Sequence, residues 1–232
     1  MEIIYSTTNN IASIKIDNGS YNEINYALRF AIYENIIKAI NDTNIKIVII
    51  TGNGECFSEG IELNEISSGK VLDEPSISSI TEIINNAHKP FIAAINGNAY
   101  GIGLEIALSC HFRIVLKNSQ ISFPEIKLGL ITSSGAVPRL IKWIGLERSL
   151  NFFLNGNVID CEKFSDTKLF SEYFQNRETF GNDTLNFSKK ILENLNFSPF
   201  QNLEIKHENP EGFIKFSKRY LENKKILNPV LT

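Results

Sequence analysis

Apolar positions along the first half of the chain change rhythm twice. Residues 2–17 carry Ile3-Ile4-Tyr5 and then Ile11-Ala12-Ser13-Ile14-Lys15-Ile16, a period-2 alternation that ends at Asp17-Asn18-Gly19. This predicts a β-hairpin or two short strands. From Tyr26 to Ile40 the apolar set Leu28, Ala31, Ile32, Ile36, Ile37 and Ile40 follows helical spacing, and Asn41-Asp42 closes it. The β-branched run Ile45-Lys46-Ile47-Val48-Ile49-Ile50 then reads as a buried strand, stopped by Thr51-Gly52-Asn53-Gly54.

The same order recurs. Phe91-Ile92-Ala93-Ala94-Ile95 is a second apolar run, stopped by Asn96-Gly97 and followed by a glycine-bearing loop into a helical pattern. The first copy enters its helix through Glu59-Gly60-Ile61-Glu62-Leu63, the second through Gly101-Ile102-Gly103-Leu104-Glu105. A third unit follows, with Phe112-Arg113-Ile114-Val115-Leu116 as strand and a helix from Gly135 to Trp143. A repeat of roughly forty residues predicts a quasi-repeating α/β coil in which each unit covers its neighbour's apolar face. Between the first two units, the polar segment from Ser67 to Ser79, with Pro75 inside it, reads as a mobile surface loop. Beyond Glu172 the composition turns polar, with patterned stretches near Leu185 to Leu195 and Glu211 to Lys224. The expected organisation is a core over 1–172 and a helical region over 173–232 that docks on the body or on another subunit.

Composition narrows the classes. At 232 residues, 43% apolar and 21% charged, the chain buries one sizeable core. A formal net charge of −3 gives no long-range attraction for nucleic acid or an anionic membrane, so neither is expected as a partner. No run approaches the ~20 apolar residues of a membrane span, and the N-terminus lacks a basic start followed by an apolar stretch. The three cysteines, Cys56, Cys110 and Cys161, have no metal-ligand spacing, so a reducing, cytoplasmic setting and no metal are expected.

Candidate chemistry gathers at the glycine-bearing loops. Glycine admits φ > 0 and close approach of a ligand. The N–H groups of Ile61 after Gly60, and of Ile102 between Gly101 and Gly103, are each expected at a helix start, where amides lack partners and the dipole favours negative charge. Two such donors make an oxyanion hole. A dinucleotide fingerprint fails, because the third position after Gly103 is Ile106 where glycine or alanine is needed. Neither a Gly-Lys-Ser/Thr phosphate loop nor a Gly-x-Ser-x-Gly elbow is present. Glu105 and Glu125, twenty positions apart and each beside a turn after an apolar run, form a candidate acid/base pair.

The stretch from Lys89 to Ile114, with Gly-Leu-Glu at 103–105 and Cys-His-Phe-Arg at 110–113, followed by Phe123-Pro124-Glu125-Ile126-Lys127-Leu128-Gly129, resembles the enoyl-CoA hydratase/isomerase (crotonase) superfamily. Its wording is most similar to the hydratase part of multifunctional β-oxidation enzymes. The resemblance runs from Ile11 to Phe170 and is densest between 89 and 145. It implies a crotonase-like (ClpP/crotonase) α/β spiral of ββα units with a short helical tail. By the resemblance, the Ile61 and Ile102 amides hold a thioester carbonyl, and Glu105 and Glu125 activate water and exchange the α-proton, with Gly60, Gly101 and Gly103 as supporting turns. It also implies an acyl-CoA or acyl-carrier-protein thioester as substrate, coenzyme A entering only as part of that substrate, and a homo-oligomer, a trimer or dimer of trimers. Relatives that only isomerise a double bond keep the carboxylate at the Glu125 position alone, so two glutamates favour hydration over isomerisation or tailoring of carrier-bound chains. A catalytically silent binding or assembly subunit is the reading from another class.

Departures from the family pattern are concentrated at one turn. Where Pro-Gly-x-Gly-Gly-Thr is usual, this chain has Thr132-Ser133-Ser134-Gly135-Ala136-Val137. Ile102 replaces the middle glycine of the triplet, Glu62 replaces the common aspartate, and the C-terminal helical region is shortened. His88 and His111 are read as surface or structural residues, Lys70, Lys89 and Lys142 as solvated, and Trp143 with Leu140, Ile141 and Ile144, like Phe152-Phe153-Leu154, as packing, the two groups lining an apolar wall within reach of an acyl tail. The spacing of Phe213, Phe216 and Tyr220 suits subunit docking.

Overall fold

The structure, a computed structural model, describes residues 2–132 and 134–194. Its main sheet has six strands in the order β1-β2-β3-β4-β6-β9. The hairpin partners β1 (Glu2–Thr8) and β2 (Ile11–Asp17) pair antiparallel. From there β3 (Ile47–Gly52), β4 (Phe91–Ile95), β6 (Phe112–Leu116) and β9 (Glu172–Phe174) are all added parallel. A parallel sheet needs both faces covered, which is why β4 is apolar and buried at every position.

Strand alternation sorts the apolar residues onto those faces. Val48 and Ile50, with Ile14, Phe91, Ala93 and Ile95, belong to the larger core, which also holds residues of α1 (Tyr26–Asn41), α3 (Ile77–Asn86) and α4 (Gly101–Ser109). Ile47 and Ile49, with Ile92, Ala94 and Ile114, form a second core closed by Phe180 and Phe187 of α7 (Phe180–Glu193). Strand β9 spans residue 172, and α7, which follows it, covers the second face of the sheet. The later patterned stretch, Glu211 to Lys224 with Phe213, Phe216 and Tyr220, lies outside the described residues.

A smaller sheet of β5 (Ala99–Tyr100), β7 (Gln120–Ser122) and β8 (Ile159–Asp160) lies beyond the end of β4. The pair α5 (Ala136–Ile144) and α6 (Leu146–Asn155) follows it in the chain. The expected helix from Gly135 to Trp143 is α5, shifted by one residue, while α6 was not anticipated.

The segment from 67 to 79 is not the mobile loop that its polarity predicts. It holds the end of α2 (Leu63–Ser68), a 3-10 turn at Lys70–Leu72 and the start of α3, capped by the Ser76 hydroxyl on the Ser79 N–H. The fully buried Arg29 fixes it, donating to the carbonyls of Pro75 (2.7 Å), Lys70 (2.7 Å) and Asp73 (3.1 Å), with Glu65 3.9 Å from its guanidinium. Lys89 is likewise not solvated: its Nζ donates to the Ala39 and Asp42 carbonyls at the C-terminus of α1, where a cation meets the negative end of the helix dipole. His111 is buried and accepts the Phe91 N–H at Nδ1 (2.9 Å), and burial first, then the Arg113 charge, lowers its pKa to about 4. It is a structural, neutral imidazole.

Gly103 is not a turn residue but the third residue of α4, and its backbone packs on Ser58. A Cβ there would stand 2.7 Å from Ser58 Cβ and 2.8 Å from the Ser58 carbonyl oxygen. Gly103→Ala is therefore expected to destabilise the protein by about 1–3 kcal/mol through overpacking, against a helix-propensity gain of about 1 kcal/mol. The measurement is the denaturant midpoint, and a midpoint at or above wild type contradicts this packing account.

Candidate active site

The first candidate donor segment follows β3. Gly60 takes φ +106°, a region that L side chains rarely occupy, and its carbonyl accepts the Ile24 N–H at 2.7 Å while the Glu62 N–H donates to the Ile24 carbonyl at 3.2 Å. This is a single parallel bridge between Ile24 and Ile61, and such a bridge leaves the N–H of the middle residue, Ile61, facing away from Ile24. Ile61 is thus a bridge residue two positions ahead of α2 and not the start of a helix, as the sequence suggested. Its amide is available because of strand geometry, not helix geometry.

The second segment abuts the first. A Cβ on Gly60 would lie 3.1 Å from the Tyr100 carbonyl oxygen and 3.7 Å from Gly101 Cα. Ser58 joins the two, its carbonyl accepting the Tyr100 N–H (2.9 Å) and its hydroxyl accepting the Gly60 N–H (3.2 Å) while donating to the Asn22 carbonyl (2.8 Å). Gly101 opens α4 at φ +51°, and Ile102, the second residue of that helix, carries one of the first-turn N–H groups that have no partner within the helix.

Glu125 reaches the same place from the other side. Phe123 is buried, Pro124 opens the 3-10 helix Pro124–Leu128, and the Glu125 carboxyl turns back onto α4. A Cβ on Gly101 would be 2.6 Å from Glu125 Oε1. Glu125 Oε2 is buried with no hydrogen-bond partner among the described residues. Burial chiefly, with the nearby Glu105 carboxylate adding to it, pushes the Glu125 carboxyl up to about 7.

Glu105 projects from α4 and is 2% exposed. Its Oε1 accepts the Thr132 hydroxyl and, at 2.9 Å, the Ser134 N–H. The Ser134 carbonyl is itself held by Arg139 (2.6 Å) and by the Thr81 hydroxyl of α3 (3.1 Å). The rewritten turn therefore does a definite job: two of its residues grip one oxygen of Glu105. The sequence marks Thr132-Ser133-Ser134 as a departure from the family pattern but assigns no contact to it, and it gives no role to Ser58, Thr81 and Arg139. Of these only Arg139, a cation downstream of Glu125, carries a signal in the sequence.

A cavity of about 160 Å³ opens beside these groups, lined by Glu125 and Thr132 and walled by Phe123, Ile131, Val137, Leu150 and Phe153. Larger hollows of about 600 and 460 Å³ lie between α1 and α3 and beside the N-terminus of α7, but neither contains either carboxylate. Chemistry, not volume, identifies the candidate site. The structure thus brings together Gly60, Gly101 and Glu125 by direct approach, puts Ile61 and Ile102 in the two abutting segments, and holds Glu105 close enough to act on the Glu125 charge.

Comparison with known proteins fits this arrangement. Residues 6–204 match the model of the family described as enoyl-CoA hydratase/isomerase, and the chain belongs to that family. The glyoxysomal fatty acid beta-oxidation multifunctional protein MFP-a of Cucumis sativus is 33% identical over 159 residues, 66% of this chain and 22% of that protein. The 2,3-dehydroadipyl-CoA hydratase of Escherichia coli (strain K12) is 32% identical over 158 residues, 66% of this chain and 61% of its own length. The chain thus spans about a fifth of the multifunctional protein and less than two thirds of the bacterial enzyme. Among solved structures, the enoyl-CoA hydratase from Bacillus anthracis superposes with a TM-score of 0.76 at 25% identity, over 83% of this chain and 77% of the other. The fold is that of the crotonase family. No helix among the described residues is long and apolar enough to cross a membrane.

A buried carboxyl of raised pKa makes a prediction about stability. The folded state holds the Glu125 proton more tightly than the unfolded chain does, so the stability associated with this group is full below the unfolded pKa and is lost as pH rises to about 7. Glu125→Gln removes the ionisation, so at pH 8 the variant is expected to be more stable than wild type by about 1–2 kcal/mol, after allowance for partial exposure, and equal to it near pH 4. Thermal unfolding at the two pH values checks this, and an equal difference at both speaks against it.

Proposed function

We propose that the protein hydrates 2-enoyl thioesters to 3-hydroxyacyl thioesters. The observation that carries this reading is that the Glu125 carboxyl lies against Gly101, in the segment that abuts Gly60, with Glu105 held nearby by the rewritten turn. The substrate carbonyl oxygen accepts hydrogen bonds from the Ile61 and Ile102 amides. Negative charge builds on that oxygen as water adds, and one such donor is typically worth about 10²- to 10³-fold in rate.

The two carboxyl groups have different surroundings and so take different roles. Glu105 is fixed by two hydrogen bonds on Oε1, which leaves its other oxygen to take a proton from the water that attacks C3. Glu125, with its pKa raised to about 7, carries the proton that is delivered to C2 of the enolate. Hydroxide equivalent and proton thus come to adjacent carbons, and the proton gained by Glu105 balances the one lost by Glu125. Family membership and hydratase-named relatives support coenzyme A as the carrier of the acyl group.

A second reading, isomerisation of a 3-enoyl to a 2-enoyl thioester, is favoured by one observation: both hydrogen bonds recorded for the Glu105 carboxylate fall on one oxygen, while Glu125 has an unpaired one. Product analysis separates the two. Loss of the ultraviolet band of crotonyl-CoA with formation of the 3-hydroxy product is the hydratase outcome, and formation of a 2-enoyl from a 3-enoyl thioester without water is the isomerase outcome.

For hydration, Glu105→Gln and Glu125→Gln are each expected to lower kcat by about 10²- to 10⁴-fold with acyl-CoA binding retained. A wild type with only trace thioester activity, unchanged by either substitution, points to a binding subunit instead. A wild-type profile of kcat/KM should fall at high pH with a midpoint of about 7, because the acid ionises above its raised pKa. A rate flat from pH 6 to 9 removes Glu125 from the role of acid. Thr132→Val is expected to cost roughly tenfold in kcat, the range of one lost hydrogen bond, with little change in KM, and Thr132→Ser should restore the rate.

A further inference from the structure

The cavity beside the carboxylates has a chemical character that its position alone does not dictate. Apart from Glu125 and Thr132, every residue that lines it is apolar, and no lysine, arginine or histidine is among them. Its lining grades from exposed to buried: Ile131 is 79% exposed, whereas Phe123 and Phe153 are 1% and 8% exposed. The two phenyl rings stack at 4.8 Å between centroids, 31° from parallel, and close the buried end. Phe123 is further held by Phe152, edge-on at 5.5 Å, so this wall is rigid.

An acyl chain whose reacting carbons lie at Glu125 has its remaining carbons in this space. At roughly 30 Å³ for a water-sized group, a cavity of about 160 Å³ accepts on the order of five chain atoms. Each methylene that enters is worth roughly a fourfold gain in binding until the chain reaches the ring pair. A terminal carboxylate in the same space meets no cation among the lining residues and already faces the Glu125 carboxyl. Burying it there leaves an unpaired charge, which is worth at least about a hundredfold.

We infer that this site selects neutral acyl thioesters of about six to eight carbons and rejects chains that end in a second carboxylate, with Phe153 setting the length. The inference rests on the hydratase reading. The test measures kcat/KM for 2-butenoyl-, 2-hexenoyl-, 2-octenoyl-, 2-dodecenoyl- and 2,3-dehydroadipyl-CoA. It also measures, by calorimetry, Kd for the saturated butanoyl-, hexanoyl-, dodecanoyl- and adipyl-CoA. The expected result is an optimum at six or eight carbons and a value for dehydroadipyl-CoA at least about a hundredfold below hexenoyl-CoA. The saturated compounds should show the same order in Kd. Phe153→Ala should raise the dodecenoyl to hexenoyl ratio by about tenfold or more.

Dehydroadipyl-CoA matching hexenoyl-CoA, or dodecenoyl-CoA as the best wild-type substrate, overturns the inference while leaving hydration intact. Absence of turnover with every compound overturns the hydratase reading, and the saturated series still decides the pocket: adipyl-CoA bound as tightly as hexanoyl-CoA rejects the inference, and a hundredfold gap upholds it. If Phe153→Ala proves unstable, Phe153→Leu serves the same purpose with a smaller opening.

Discussion

The Glu125 carboxyl can lie against the first turn of α4 only because position 101 carries no side chain. A Cβ there would stand 2.6 Å from Oε1. Everything in the candidate site is arranged around that contact. It places an ionisable group beside helix-terminal amides, away from water, and it forces the charged form to compete with desolvation and with a second carboxylate. The raised pKa is a direct result of that competition.

The scaffold makes the contact reproducible. The parallel strands β4, buried throughout, and β3, buried at all but Thr51, give rigid starting points for the loops that carry Gly60 and Gly101. Ser58 links those loops by accepting the Tyr100 N–H, while its hydroxyl holds Gly60 and anchors to the Asn22 carbonyl. Helix α4 is buried along its whole length, so Glu105 cannot drift outward. What the fold contributes to chemistry is the fixed position of groups that would otherwise be mobile.

Much of this was legible in the residues. Period-2 and period-3.6 patterning located β1, β2, α1 and the apolar strands within two residues, because burial on two faces leaves long β-branched runs that nothing else explains. The two glutamates stood out from their motif context. Errors arose where polar residues perform structural work. Arg29 organises the segment from 65 to 75 by satisfying backbone carbonyls, an interaction with no periodicity, so polarity was mistaken for mobility. Lys89 looked like a surface cation for the same reason. The covering role of β9 and α7 had no clear signal, because a three-residue strand and one amphipathic helix do not look like core until the second face of the sheet is known to need a cover. Ile61 was assigned to a helix since a glycine before an apolar pattern is ambiguous between a helix start and a bridge.

The turn at 132–134 has a consequence for how this chain can diverge. Thr132 and Ser134 act on Glu105, Ser134 depends on Arg139 and Thr81, and Gly135 at φ +82° leaves room for the Arg139 guanidinium, where a Cβ would lie 2.8 Å from it. A turn fixed mainly by proline and glycine backbone preferences tolerates change in its neighbours. One fixed by side chains from three elements does not, since each partner's value depends on the others being present. Substitutions here should be strongly epistatic, so the effect of changing any one of these residues depends on which of the others are still in place.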